Sequence, residues 1–242
     1  KSGKCFIFSD FTNSKNIKFE VDIEFMNASE LDKLIKNISK KETIICDLNS
    51  VSYSLVNKIK SKAKLKLEGD LIQLLKSKKN KSERNGMVEC HKRDGVALTK
   101  FIFWIKNKVR NNKITELDAI KYLDKKREKN EKFFSLSFPT IAGTGSNGAI
   151  VHYRANKKTN KLIKTSDLFL VDSGAQYMDG TTDVTRTICF NTPSKEQIEM
   201  YTRVLKGHIA VASSKIKYGE TGKKLDFLAR QPLQEVNCNF DH

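Results

Sequence analysis

Leu168 to Thr187 reads LFLVDSGAQYMDGTTDVTRT, and the carboxylates set in its apolar runs decide how the rest of the chain is read. Asp172 closes the run Leu168-Phe169-Leu170-Val171, which has the length and character of a buried strand. An ionised carboxylate is tolerable there only where a cation or several donors meet it. Asp183 heads Val184 to Phe190, a β-branched and aromatic run that reads as a second strand. Between the runs lies Asp179-Gly180, a strong hairpin-turn signal that puts both aspartates near the hairpin's open end. A strict register centred on that dipeptide pairs Asp172 with Thr187, so facing carboxylates require a bulge or a diagonal contact. Hard oxygen ligands on neighbouring strands suit Mn²⁺, Mg²⁺ or Ca²⁺, and a carboxylate bridging two ions is the usual arrangement in two-metal hydrolases. The alternative is that Asp172 is a strand-end turn residue and Asp183 pairs with Arg186.

Three motifs in a fixed order widen this reading: Ser137-Phe138-Pro139-Thr140-Ile141, Gly148-Ala149-Ile150-Val151-His152-Tyr153 and VDSGAQYMDGTTDVTRT from Val171. Together they give the chain a resemblance to the cytosolic Xaa-Pro aminopeptidases, over residues 76–242 with weaker likeness before. The resemblance implies an α+β protein. Residues 76–242 would form the first part of a pita-bread (creatinase/aminopeptidase-like) metallopeptidase domain, and residues 1–75 the C-terminal part of a smaller α/β domain. It implies a dinuclear centre, commonly two Mn²⁺. Asp172 and Asp183 match the family's first two metal ligands, His152 a substrate-site histidine, and His242 the histidine that opens the family's HGTGHG motif. The family's remaining ligands, one histidine and two glutamates, fall after His242. No residue of the chain is therefore assigned as catalytic, and the 242 residues alone are expected to be inactive. The implied activity is metal-dependent removal of the N-terminal residue from peptides with proline in second position, by a cytoplasmic enzyme that is a homodimer when complete. A competing reading is a non-catalytic pita-bread module that binds peptide, protein or RNA. Both ligands that can be checked are intact, which favours the enzyme.

The 242 residues, 38% of them hydrophobic, bound one or two domains with enough apolar material for a core. The net charge is +17, of which residues 133–242, with 14 basic and 10 acidic side chains, hold +4 and the first 132 residues +13. Only 8 of the 45 basic residues are arginine, the wrong skew for dedicated phosphate recognition. Scattered Lys and Asn without interleaved aromatics read as a solvated surface, so nucleic acid is not an expected partner. The five cysteines are odd in number and widely spaced, the usage of reduced thiols in the cytosol. No apolar run approaches the length of a membrane span, and the start shows no signal-peptide pattern.

Along the chain, Cys5–Phe8 and Thr43–Cys46 read as strands, with a helix from Glu30 between them that Asn27 or Ser29 can cap. The lysine-rich interval from Lys58 to Lys81 reads as the exit from the smaller domain. A long helix runs from Glu83 to near Asn111 on the spacing of Met87, Ala97, Leu98, Phe101, Ile105 and Val109. Phe101 and Trp104 on it read as core rather than as a stacking platform. Thr115 to Asp118 is a capping-box start for a second helix. Gly143-Thr144-Gly145, lacking a lysine and a following helix, is rejected as a phosphate cradle. Asn147-Gly148 reads as a turn and Ala149 to Tyr153 as a strand bearing His152 near its end. Ser194 to Gln197 is another capping box, opening a helix through Ala212 that should pack on the sheet, and Leu225 to Leu233 is a short helix. His91 and His208 read as ordinary surface or helix histidines.

Overall fold

In the computed structural model, which describes residues 4–10, 23–217 and 219–242, the chain forms two units divided between Lys79 and Asn80. In the first, strand β1 (Cys5–Phe8) pairs in parallel with β2 (Ile23–Met26), and β3 (Thr43–Asp47) with β4 (Lys64–Glu68). Parallel neighbours cannot be joined by a tight turn. Helix α2 (Tyr53–Lys60) makes the β3–β4 crossover, capped by Ser52 and burying Val56 and Ile59. Helix α1 (Glu30–Lys36) buries Ile35 and has no side-chain cap at Ser29; the Asn27 carboxamide instead accepts from the Ser29 amide at 3.0 Å. The interval from Lys58, expected as an exit, holds the end of α2, all of β4 and helix α3 (Leu71–Ser77), which Asp70 caps. In β4 the lysines alternate with a half-buried Leu65 and an exposed Leu67, a strand pattern concealed by its lysine content.

The second unit opens with the 28-residue helix α4 (Lys81–Lys108), started by an Asn80–Glu83 capping box, and α5 (Glu116–Glu128), started by the Thr115–Asp118 box. Two antiparallel sheets follow. One has the order β10 (Val184–Cys189), β7 (Leu168–Ser173), β6 (Ile141–Thr144); the other β5 (Phe133–Leu136), β8 (Ala175–Tyr177), β9 (Gly180–Thr181). Leu98, Phe101 and Ile105 of α4 and Ala119 and Leu123 of α5 pack against Ala142, Phe169, Val171 and Ile188 of the first sheet. Burial along β7 alternates, with Phe169, Val171 and Ser173 buried, so Leu170 and Asp172 occupy the face turned away from this core. Trp104 lies against the core as expected, stacked on Tyr122 with ring centroids 3.9 Å apart.

Two sequence expectations fail here. Residues 150–153 are not a strand: a 3-10 turn covers Gly145–Ala149, and the Ile150 and Tyr153 amides bond back to the Asn147 and Ile150 carbonyls. Local bonding thus removes the donors a strand would need. Helix α6 (Lys195–Ser213) does keep its Ser194–Gln197 capping box, but it packs on α7 (Gly222–Gln234), not on the sheet. Gly207 allows this approach, because a Cβ there would overlap the Ala229 carbonyl. The apolar side chains Ile198, Tyr201, Val204 and Ile209 of α6 consequently stay exposed.

Where α4, α5 and β8 meet, one ion pair is wholly enclosed. Arg127 donates through Nε and Nη2 to the Asp94 carboxylate at 2.8 and 2.9 Å, and the Tyr177 hydroxyl donates to Asp94 Oδ1 at 2.8 Å. Burial and this bond push the Tyr177 phenol far above its ordinary pKa, so it remains a donor. Removing one partner of such a pair strands the other charge. Asp94→Ala should therefore lower stability by about 3–5 kcal/mol in denaturant unfolding, while the paired change Asp94→Leu with Arg127→Met should recover most of that loss. A small effect of Asp94→Ala would mean that water reaches Arg127.

Candidate metal and substrate site

The hairpin that carries the aspartates keeps one register from end to end. Thr185 lies opposite Asp172, Gln176 opposite Thr181 and Tyr177 opposite Gly180, so the turn residues are Met178 and Asp179. That is one residue earlier than Asp179-Gly180, and it corrects the expected partner of Asp172 from Thr187 to Thr185. Neither turn residue has a positive φ, so the turn lacks the conformation that Asp-Gly favours. Asp179 is instead tied to Arg93 at 2.5 Å and Lys132 at 3.0 Å, and Met178 donates its amide to the Lys132 carbonyl at 2.8 Å. Asp183 precedes β10 by one residue. By alternation it takes the face of Thr185, diagonal to Asp172, without any bulge.

Gly174 makes the uninterrupted register possible. A Cβ at this position would overlap the Thr182 carbonyl and the Ser137 hydroxyl, while Ser137 donates to that same carbonyl at 3.0 Å and its amide to the Gly174 carbonyl at 3.2 Å. The Ser-Phe-Pro segment is thus stitched to the hairpin at the level of Asp183.

Asp172 lines a cavity of about 530 Å³ together with Leu170, Thr185, Ile150, His152 and His242. Its Oδ1 is buried and has no hydrogen-bond partner. An unsatisfied buried acceptor costs about 1–3 kcal/mol, and a carboxylate oxygen so placed fits a cation. Asp183 is exposed and forms no ion pair with Arg186, whose Nη1 donates to the Thr185 carbonyl at 2.8 Å; the alternative pairing is not formed. Among the described residues, no third acidic, histidine or cysteine side chain completes a metal-binding group. The residues present thus fit part of a hard-metal site.

His152 and His242, 90 residues apart, meet in this cavity with Nε2 atoms 3.0 Å apart and rings at 89°. His242 is held from α7: Arg230 donates to the His242 carbonyl at 2.5 Å and the Phe240 carbonyl at 2.6 Å, and its guanidinium lies 4.0 Å over the Phe240 ring. His152 has φ +53°, a left-handed conformation that costs a non-glycine residue roughly 1–2 kcal/mol. His91 and His208 are exposed and lie outside the cavity.

Sequence reading missed Glu116, taken only as part of a helix start. It is fully buried. Its carboxylate accepts from the Thr144 amide at 2.8 Å, Asn147 Nδ2 at 3.0 Å, the Tyr153 hydroxyl at 2.8 Å and the Lys161 amide at 3.1 Å. Burial, with the Glu116 bond adding to it, raises the Tyr153 phenol pKa, which keeps it a donor. A signal was present: Glu116, Ala119, Leu123 and Arg127 are the buried residues of α5, spaced at three and four, so both charged residues sit on the apolar stripe.

Gly174→Ala should cost at least about 1–3 kcal/mol, the usual range for an overpacked site, and should weaken β5–β8 pairing along with the hairpin. Hydrogen exchange at the Ala175 and Thr182 amides reads this directly. Unchanged protection would show that the register does not depend on a bare position 174.

The family model described as metallopeptidase family M24 matches residues 85–242. An Xaa-Pro aminopeptidase of Drosophila melanogaster is 39% identical over 213 residues, covering 87% of this chain and 34% of its own. A probable Xaa-Pro aminopeptidase P of Podospora anserina is 44% identical over 169 residues, 69% of this chain and 25% of its own. Among solved structures, an X-prolyl aminopeptidase from Caenorhabditis elegans, described as a cytosolic enzyme with a di-nuclear active site, superposes with TM-score 0.80 at 31% identity, covering 91% of this chain and 37% of that one. A prolidase from Pyrococcus furiosus superposes with TM-score 0.70 at 25% identity, over 90% and 61%. The chain spans about a quarter to a third of the length of these curated relatives. The expected α+β pita-bread architecture is borne out by these structural matches.

Proposed function

Because this chain belongs to metallopeptidase family M24, we propose that it forms the first part of the catalytic region of an Xaa-Pro aminopeptidase, which removes the N-terminal residue from peptides with proline in second position. Residues 1–75 would then be the C-terminal part of a smaller α/β domain. The observation that supports this most is the orphaned Asp172 oxygen in a cavity that it shares with two histidines drawn from distant parts of the chain.

In this reading Asp172 and Asp183 hold divalent ions, two Mn²⁺ by the family's habit. Such a pair supplies Lewis acidity and a water activated near neutral pH. The chain's own contribution is reception of the peptide. The two Nε2 atoms can share only one proton between them when both rings are neutral, so their bond is one that an entering carbonyl oxygen can replace. Each histidine protonated at Nε2 then becomes a donor aimed at the oxygen on which charge develops. Leu170 and Ile150 give the cavity an apolar side suited to a substrate that lacks an amide N–H at proline. A cytoplasmic, homodimeric enzyme completes the proposal by resemblance; among the described residues no helix is long and apolar enough to cross a membrane.

The test is hydrolysis of an Arg-Pro-Pro peptide by the full-length gene product, before chelation, after it, and after return of Mn²⁺. Activity should vanish and come back. Asp172→Asn and Asp183→Asn should each abolish the recovery, with His152→Ala lowering kcat about 10²–10³-fold, the usual loss for an oxyanion donor. Turnover indifferent to chelator would refute the proposal. Residues 1–242 alone offer each ion far fewer than the roughly six ligands that hard divalent ions prefer, so calorimetry should show Mn²⁺ binding weaker than micromolar and no turnover. Tight binding of two ions by this segment would place the ligands elsewhere.

A further inference from the structure

We infer that Glu116 is the positioning residue for His152: its buried carboxylate pins both ends of the loop that carries the histidine and so holds it in the left-handed turn facing His242. The inference rests on the reading of His152 as a substrate-site group. Its own basis is the bonding of Glu116, which lies in the first turn of α5, 36 residues before the histidine it governs.

None of the donors that reach the Glu116 carboxylate comes from its own helix. Thr144 ends β6 before the loop, Asn147 sits in the 3-10 turn, Tyr153 follows His152 directly, and Lys161 begins the return of the chain. The backbone of Glu116 joins in, its amide donating to the Lys161 carbonyl at 3.1 Å. Asn147 Nδ2 also donates to the Tyr153 hydroxyl at 2.8 Å, and both side chains face the Thr159 carbonyl at 3.2 and 3.0 Å, an acceptor that shares the single Tyr153 hydroxyl proton with Glu116. The loop is thus clamped on either side of residues 148–152, while Ile150, Val151 and His152 themselves are exposed. A left-handed non-glycine residue on an exposed stretch persists only where its flanks over-determine it, and Glu116 is the group on which both flanks converge.

Simple stabilisation of α5 does not require this arrangement. The Thr115–Asp118 capping box already satisfies the helix start, with the Thr115 hydroxyl accepting from the Asp118 amide and the Asp118 carboxylate accepting from the Thr115 amide. Glu116 is spent entirely on the His152 loop and its return. Replacing it by Gln retains size and one acceptor oxygen but sets an NH₂ group against donors.

The experiment uses the full-length gene product with Glu116→Gln, His152→Ala, the double variant and Tyr153→Phe. Glu116→Gln should lower kcat on prolyl peptides about 10²-fold, the scale of a 1 Å misplacement, with KM little changed. Tyr153→Phe should give a smaller loss in the same direction. In the His152→Ala background, Glu116→Gln should add nothing, since residues acting as one unit are not additive. A crystal structure of Glu116→Gln should show His152 out of the left-handed region and its Nε2 withdrawn from His242. Full kcat in Glu116→Gln, or the same loss in the His152→Ala background, overturns the inference. If Glu116→Gln does not fold, Tyr153→Phe carries the same comparison, alone and with His152→Ala. If the parent protein shows no prolyl-peptide turnover, the proposed function fails by itself. The crystal structure then still decides this inference, against it if His152 keeps its place and for it if the histidine moves.

Discussion

The second unit depends on one constraint: the hairpin from Leu168 to Cys189 holds a single register although it passes from one sheet to another on the way. Strand β7 lies between β6 and β10, and β8, one residue further on, lies between β5 and β9. The change of neighbours occurs at Gly174, where the backbone is approached too closely for any side chain. A bulge would have solved the crowding more cheaply, but it would also have turned one aspartate to the opposite face, since side chains alternate with period two. A bare residue lets the strands continue in phase. Asp172 and Asp183 therefore keep to one face because Gly174, between β7 and β8, carries no side chain.

How much of this is legible in the sequence depends on which residues carry the signal. The two aspartates, His152 and His242 are visible as motif members, and two of the three capping boxes among the described residues, Thr115–Asp118 and Ser194–Gln197, can be read directly from residue type and spacing. The turn is not legible. Asp179-Gly180 is the stronger local signal, yet Arg93 and Lys132 draw Asp179 into a tertiary contact and move the turn to Met178-Asp179. The segment 149–153 misleads for a similar reason: its β-branched residues suggest a strand, but the Asn147 carbonyl accepts from the Ile150 amide and the Glu116 carboxylate from the Tyr153 hydroxyl, which hold it as a turn. Local propensity is a weak prior, and tertiary bonds override it.

Charged residues on apolar stripes were the informative signal left unread. Cys90, Asp94, Ala97, Leu98, Phe101 and Ile105 are the buried positions of α4, and Glu116, Ala119, Leu123 and Arg127 those of α5. A carboxylate on one stripe and a guanidinium on the neighbouring one have few ways to be satisfied other than by each other. Asp94 and Arg127 do this. Among the described residues no cation pairs with Glu116, which is met by amides, a carboxamide and a phenol instead, an arrangement suited to a carboxylate, which can accept several bonds at once.

The two halves of the site follow different rules as a result. The aspartates are placed by strand register, a property shared by many residues of the hairpin and dependent on the bare backbone at Gly174. The histidines are placed by individual side chains: Glu116 through the His152 loop, and Arg230 through the carbonyls of Phe240 and His242. Register would suit the metal ligands of the proposed function, whose separation must stay fixed. Side-chain tethers leave the two histidines separable, and in the proposed function the 3.0 Å bond between their rings is the contact that a substrate carbonyl oxygen would replace. A fold that fixed both pairs by register would hold the histidines as firmly as the aspartates, and would give the carbonyl of the proposed substrate no place between them.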